Sequence, residues 1–204
     1  VMNEDEHLSH EDRVELLGDA KQDAEWLVRM VENLLSITRI SGSEQTNIEK
    51  SPELIEEILG ECIANFKKRN SDVNLKVTIP DEPLMVNVDA MLIEQVIMNL
   101  LDNAAKHAEG MTELRLDVKC SGSRALVSVA DDGAGLDQAI IPVLFRGQID
   151  PADGKSYDSN RFRGIGLATC QAIVTAHGGT ISAANRPEGG AVFSFTIPLE
   201  EEKE

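Results

Sequence analysis

The sequence lacks a long apolar run and has few basic residues. No stretch approaches the roughly 18 apolar residues of a membrane span, and no signal-peptide pattern opens the chain. We therefore expect a soluble, cytoplasmic portion, which could belong to a longer, membrane-anchored protein. Acidic residues outnumber basic ones by 36 to 19, which gives a formal net charge of −17. Because a nucleic-acid backbone needs a basic surface, this charge argues against a nucleic-acid partner.

Cysteine is also scarce. The three cysteines, Cys62, Cys120 and Cys170, are odd in number and widely spaced. This usage predicts reduced, mostly structural thiols in a cytosolic protein. With 204 residues, of which 42% are hydrophobic, the chain can bury one good core and carry an appendage.

The appendage is a predicted helix from Ser9 to Ile40, which Ser9 and Asp12 can cap. Apolar and small residues follow in it at a three–four spacing over about three heptads, the pattern of a helical bundle or coiled coil. These are Leu17, Ala20, Ala24, Leu27, Val31, Leu34 and Thr38. One helix cannot bury this seam alone, so we expect a partner helix from a second chain. A core helix of the same domain is the alternative. The polar segment Ser41–Asn47 is a plausible boundary.

The rest of the chain predicts helices and strands in mixed succession with antiparallel hairpins. Helices are predicted from Ser51-Pro52 onward, around Gln95–His107 and over Leu167–His177, and strands over Leu75–Ile79, Leu84–Val88, Thr112–Lys119, Ala125–Ala130, Thr180–Asn185 and Ala191–Leu199. This order favours an α+β sandwich, with helices over one face of a sheet. Leu136–Arg163 has little apolar periodicity, and a connection this long is usually a functional lid or disordered.

The helix over Gln95–His107 has an unusual polar side. Asn99 and Asn103 lie one turn apart, and Lys106 follows on the same side. Asparagine is a poor choice inside a helix, so two of them suggest that something outside the helix holds them. An amide oxygen is a neutral ligand for Mg²⁺, and a lysine can meet the phosphates that such an ion carries. A solvated polar face is the alternative.

Two glycine-containing motifs elsewhere in the chain support the interpretation of this helix as part of a nucleotide site. Asp131 opens the sequence DDGAG directly after a strand, where its carboxylate can accept a hydrogen bond from an exocyclic amine such as that of adenine. Gly133 and Gly135 would let a ligand approach the backbone, although a simple glycine-rich turn is an equal alternative.

The second motif, RGIGL, lies where the long connection meets a helix. Amides at a helix start that are reached through glycines form an anion site. The motif comprises Arg163, Gly164, Ile165, Gly166 and Leu167. A lone GxG is weak by itself. We interpret Phe145, beside Arg146, as a hinge packed on the core rather than a base-stacking residue.

Taken in order, NLLDNAAKH, DDGAG, the Phe145 region, RGIGLA and IVTAHGGTISAANRPEGGAVFSFTIPL resemble the ATP-binding domain of sensor histidine kinases. The resemblance covers Ile48–Leu199. The segment AEWLVRMVENLLSITRI looks like the second helix of the dimerisation domain of those kinases. The resemblance divides the chain into residues 1–44, a dimerisation helix, and residues 45–204, the catalytic domain.

The family implies a Bergerat fold, an α/β sandwich in which helices cover one face of a mixed sheet, that binds Mg-ATP and phosphorylates a histidine. By position, Asn103 would hold Mg²⁺, Asn99 would support the ion and phosphates, and Asp131 would contact the adenine amine. Lys106 would contact phosphate and, with Asn99, take part in catalysis, while Gly133, Gly135, Gly164 and Gly166 would give access to the backbone. The other residues that would bind the nucleotide are His107, Arg163, Ile165 and Leu167. The related ATPases and topoisomerases have a glutamate at position 99, where an asparagine cannot abstract a proton from water. The resemblance also implies a response regulator as partner and a homodimer in the full-length protein.

Two departures from the family pattern qualify this interpretation. The histidine–acid–leucine–arginine motif of the phosphoacceptor is missing, so we expect a catalytic fragment that does not phosphorylate itself. Phe162 and Arg163 also stand where the family usually has glycine and small residues. Two alternatives follow: a nucleotide sensor without transfer activity, or a serine kinase of the anti-sigma type, which the leading helix disfavours.

Overall fold

The computed structural model describes residues 48–146 and 163–200, together with residues 13, 14, 16–18, 20, 24, 28, 31, 33, 35, 36 and 38. The chain divides into two compact units, Val1–Leu35 and Ser36–Glu204. In the described part of the chain, no helix is long and apolar enough to cross a membrane.

The described residues between 13 and 38 are all helical, in agreement with the predicted leading helix. Its seam is open to solvent at the positions that are described: Leu17 is 69% and Val31 53% exposed. Leu27 and Leu34 of the seam, and the predicted boundary 41–47, lie outside the described residues. The partner helix therefore stays a prediction.

The prediction that a helix begins at Ser51-Pro52 is wrong. Strand β1 is Ser51–Leu54 and pairs antiparallel with β3, Met85–Val88, in a two-stranded sheet. Helix α1 begins only at Ile55 and runs to Arg69. A serine followed by proline is a local signal for a helix start, whereas an edge strand also tolerates proline, and here pairing with a distant strand overrides the local signal.

The five strands of the main sheet are β2 (Leu75–Thr78), β4 (Leu114–Ser121), β5 (Arg124–Asp131), β6 (Thr180–Asn185) and β7 (Ala191–Pro198). Within the sheet they lie in the order β2-β4-β5-β7-β6. β2 pairs parallel with β4 and all other neighbours are antiparallel, so the predicted mixed sheet is confirmed. Ser121 is the last residue of β4, and the turn to β5 consists of Gly122, at φ 62°, and Ser123.

One face of this sheet carries the core. Alternate residues of the central strands are buried, including Leu116 in β4, Val127 in β5 and Phe195 in β7. They pack in one cluster with the apolar sides of α1, α2 (Ala90–His107) and α3 (Arg163–Ala176). Each buried Leu, Ile or Val contributes roughly 1.5–3 kcal/mol relative to its exposed state. This arrangement is the predicted α+β sandwich.

The start of α2 is fixed from two directions. The Asp89 carboxylate accepts a hydrogen bond from the Leu92 amide at 3.2 Å and so caps the helix. The Asp89 amide donates to Nε2 of His177 at 3.0 Å, and Nδ1 of His177 lies 2.8 Å from the Ile173 carbonyl oxygen. Because Nε2 accepts, the imidazole is neutral with its proton on Nδ1. The imidazole thus joins the end of α3 to the start of α2.

Candidate functional site

The polar side of α2 faces partly towards α3. Asn99 and Asn103 are half-buried, whereas Lys106 and His107 are exposed. The Cys170 thiol on α3 is buried and donates a weak hydrogen bond to the Val96 carbonyl oxygen at 3.9 Å. Burial raises the pKa of this thiol to about 12, and the Asn99 side chain opposes the shift. Asn99 therefore lies beside α3, and its role towards an ion and phosphates stays a prediction.

Asp131 lies at the end of β5 and is only 4% exposed. Its Oδ1 accepts hydrogen bonds from the amides of Gly133, at 3.0 Å, and Ala191, at 3.2 Å. Among the described residues, none donates a hydrogen bond to Oδ2. The carboxylate is thus fixed through one oxygen, while the other retains its capacity to accept.

The neighbouring Asp132 has a different role. It is exposed, and it accepts hydrogen bonds from the Thr112 hydroxyl at 2.5 Å and from the amides of Glu113 and Thr112 at 2.9 and 2.8 Å. These hydrogen bonds lower the pKa of Asp132 to about 2, and the bond from the Thr112 hydroxyl has the largest effect. Asp132 therefore anchors Thr112 and Glu113, the two residues before β4.

The DDGAG loop packs directly on the end of α2. A Cβ on Gly133 would lie 2.9 Å from the carbonyl oxygen of Glu109, and the Ala134 amide donates to that same oxygen at 3.0 Å. Gly135 adopts φ +81°, which favours glycine. The glycines thus allow the loop and the helix end to approach each other, which brings Asp131 near the polar end of α2. Access of a ligand to their backbone stays a prediction.

The RGIGL motif forms the first turn of α3, since this helix begins at Arg163 rather than at the predicted Leu167. Space is open around the Cα of Gly166, and Leu167 is a core residue at 7% exposure. The backbone roles of Gly164 and Ile165 towards an anion stay predictions, and residues 147–162, which precede the motif, lie outside the described part of the chain.

Phe145 packs against the core, as predicted. Its ring meets that of Phe193 edge to face, with centroids 6.5 Å apart and an interplanar angle of 80°. A short 3₁₀ helix, Ile141–Val143, leads into it, and Arg146 is exposed.

Two site residues were missed by the sequence analysis. Asn185, at the end of β6, accepts a hydrogen bond from the Leu136 amide and donates one to the Leu136 carbonyl oxygen, both at 2.7 Å. Arg186 donates from Nη1 to the main-chain oxygen of Asp131 at 2.7 Å. Asparagine and arginine are ordinary residues at the end of a strand, so nothing in the local pattern distinguishes them.

Comparison with known proteins defines the class. The profile of the family described as "Histidine kinase-, DNA gyrase B-, and HSP90-like ATPase" matches residues 88–201. The chain therefore belongs to this family. The match includes α2, the DDGAG loop and α3, which hold the predicted site residues, together with strands β4–β7.

The particular relatives are sensor kinases. The chain is 38% identical over 200 residues to the sensor protein KdpD of Clostridium acetobutylicum. This alignment covers 98% of this chain and 22% of that protein. The chain thus spans about a fifth of the length of this relative. The resemblance to KdpD that AEWLVRMVENLLSITRI and the NRPEGGA turn indicate is confirmed.

Solved structures show the same fold. The histidine kinase AdeS of Acinetobacter baumannii has a TM-score of 0.70 at 20% identity, over 91% of this chain and 85% of that chain. The histidine kinase ThkA, solved in complex with the response regulator protein TrrA, has a TM-score of 0.71 at 23% identity. The superposition covers 98% of this chain and 55% of that chain. The predicted histidine-kinase fold is therefore confirmed.

Proposed function

We propose that this chain binds Mg-ATP where α2, the DDGAG loop and α3 come together. It would supply the γ-phosphate for phosphorylation of a histidine in a two-component sensor kinase similar to KdpD, for onward transfer to a response regulator. The observation that carries the proposal is the Asp131 carboxylate, which is buried, fixed through Oδ1 and able to accept a further hydrogen bond at Oδ2. An acceptor that is placed in this way selects the exocyclic amine of adenine over the carbonyl group that guanine has there.

The donor set fits a magnesium ion that the nucleotide carries. Among the described residues, no group of three or more His, Cys, Asp or Glu could cage a metal ion. Mg²⁺ in nucleotide sites usually keeps several waters and uses phosphate oxygens with only one or two protein ligands. The amide of Asn103 would supply such a ligand, Asn99 would support the ion and phosphates, and Lys106 and His107 would lie at the phosphates.

The residue at position 99 also favours transfer over hydrolysis. A bound magnesium ion would neutralise charge on the phosphates. Asn99 has no basic atom that can take a proton from water, so we expect slow hydrolysis and a reaction that depends on positioning a better nucleophile. The sequence holds no histidine–acid–leucine–arginine motif. We therefore expect no phosphohistidine on this chain when it is incubated alone with ATP.

Calorimetric titration with ATP, with and without Mg²⁺, tests the proposal. A lost hydrogen bond to a charged group costs about 1.5–3 kcal/mol, so Asp131→Asn should weaken ATP binding by roughly tenfold to a hundredfold. GTP should bind the unmodified chain more weakly than ATP. Asn103→Ala should reduce mainly the dependence of binding on Mg²⁺.

Asp132→Asn is the matched control, because it removes the same charge from the adjacent residue, which is anchored to Thr112. It should lower stability but leave the affinity for ATP nearly unchanged. Equal affinity of the unmodified chain for ATP and GTP, or equal losses in the two variants, would contradict the adenine role of Asp131.

A nucleotide sensor without transfer activity is the second candidate, and the presence of Phe162 and Arg163 in place of small residues favours it. Mixing the chain with a separately produced phosphoacceptor hairpin and ATP separates the two functions. Acid-labile phosphate on the hairpin supports the kinase, whereas ATP binding without transfer supports the sensor.

A further inference from the structure

The ladder between β5 and β7 ends next to Asp131. The last paired residues are Ala130 and Val192, so Asp131 and Ala191 would form the next pair. Instead, the Ala191 amide donates to the side chain of Asp131, and the main-chain oxygen of Asp131 accepts from Nη1 of Arg186 at 2.7 Å. Both hydrogen bonds that link Asp131 to the β6–β7 side of the sheet therefore involve a side chain.

The guanidinium of Arg186 is held in place by its own turn. The Arg186 side chain is only 12% exposed, and its Nη2 donates to Glu188 at 2.7 Å. The turn is closed by main-chain hydrogen bonds from Arg186 to Gly190, at 2.9 Å, and from Gly189 back to Arg186, at 3.1 Å. A planar guanidinium that is fixed at two nitrogens defines the position of its partner atom more narrowly than a flexible amine would.

The turn also lies directly against Asp131. Gly190 adopts φ +83°, and a Cβ there would lie 2.0 Å from the main-chain oxygen of Asp131. The residue before Arg186, Asn185, binds both polar main-chain atoms of Leu136. The end of β6 therefore holds both ends of the segment Asp131–Leu136.

We infer that Arg186 is a positioning residue for adenine recognition: it fixes the main chain of Asp131 so that Oδ2 points where the exocyclic amine binds. The inference rests on the proposed function, since it assigns to Arg186 an effect that is exerted through Asp131. It differs from a purely structural role, because the loss of Arg186 should affect only the part of nucleotide affinity that depends on the amine.

The test compares ATP with purine riboside triphosphate, which lacks the exocyclic amine, by calorimetric titration. The unmodified chain should bind ATP roughly tenfold or more tightly than the analogue. Arg186→Gln should reduce this ratio by about threefold or more, with little change in affinity for the analogue, because a positioning error of the acceptor weakens one hydrogen bond. Arg186→Lys, which keeps one donor but loses the planar fork, should restore only part of the ratio.

Arg124→Gln is the matched control. Arg124 also donates from Nη1 to a main-chain oxygen, that of Gly178 at 2.9 Å, but it lies at the start of β5, whereas Asp131 lies at its end. Its replacement should therefore leave the ratio unchanged. Equal affinities of the unmodified chain for the two nucleotides would refute the proposed role of Asp131, and the inference with it. A ratio that persists in Arg186→Gln would refute the inference alone.

Circular dichroism shows whether Arg186→Gln is folded. If it is not, Glu188→Ala provides the test, since Glu188 is exposed and its carboxylate orients the guanidinium, whereas alanine has no acceptor. A partial fall in the ratio supports the inference, and an unchanged ratio refutes it.

Discussion

Acidification should destabilise this chain through His177. The side chain is only 3% exposed, and this burial is the main cause that lowers the pKa of His177. The positive charge of Lys50 lowers the pKa further. The hydrogen bond to Ile173 and the negative charge of Asp89 oppose the shift. The neutral ring accepts the Asp89 amide, so a second proton would break that bond. Because the folded pKa is depressed, the unfolded chain binds the proton first, and stability falls as pH drops below about 6.5.

The magnitude is bounded by proton linkage. Where the unfolded histidine is protonated and the folded one is not, stability changes by at most about 1.4 kcal/mol per pH unit. Between pH 7.5 and pH 5.5 the contribution of His177 is therefore at most about 1.4 kcal/mol, since most of the loss falls below pH 6.5. The loss ends once the pH passes the folded pKa.

Urea denaturation at several pH values measures this contribution. His177→Gln removes the titrating group and leaves the carboxylates, so the difference between the two curves isolates the histidine. The stability advantage of the unmodified chain over the variant should shrink as the pH falls from 7.5 to 5.5. Parallel curves, or an advantage that grows on acidification, would refute the assignment of a buried neutral imidazole.

Three further predictions follow from other contacts. Asp89→Ala should cost about 1 kcal/mol in urea denaturation at pH 7, because the first turn of α2 loses its cap. Glu94→Gln should stabilise the chain at pH 8, since burial and a nearby carboxyl on α1 raise the pKa of Glu94 and so oppose its charged form. In thiol labelling of the native chain, the exposed Cys120 should react first, because burial raises the pKa of Cys62 and Cys170 to about 12.

Local patterns predicted most of the elements. The three–four spacing in α2 and the carboxylate of Asp89 before it identify both the buried side and the start of this helix. The sequence likewise predicted β6 at its observed bounds, Thr180–Asn185. These signals work because a helix or strand buries one side, and its periodicity is written in consecutive residues.

The sequence by itself determined the family, through motifs that occur in order: the two asparagines of α2, the aspartate and glycines after β5, and the glycines at the start of α3. Only the tertiary structure decided which oxygen of Asp131 is fixed, and by which partners. Arg186 lies 55 residues from Asp131, and Asn185 lies 49 residues from Leu136. Such contacts depend on the register of strands that are distant in the chain. In the two-stranded sheet, pairing with the distant strand β3 likewise made Ser51-Pro52 part of a strand rather than the start of a helix.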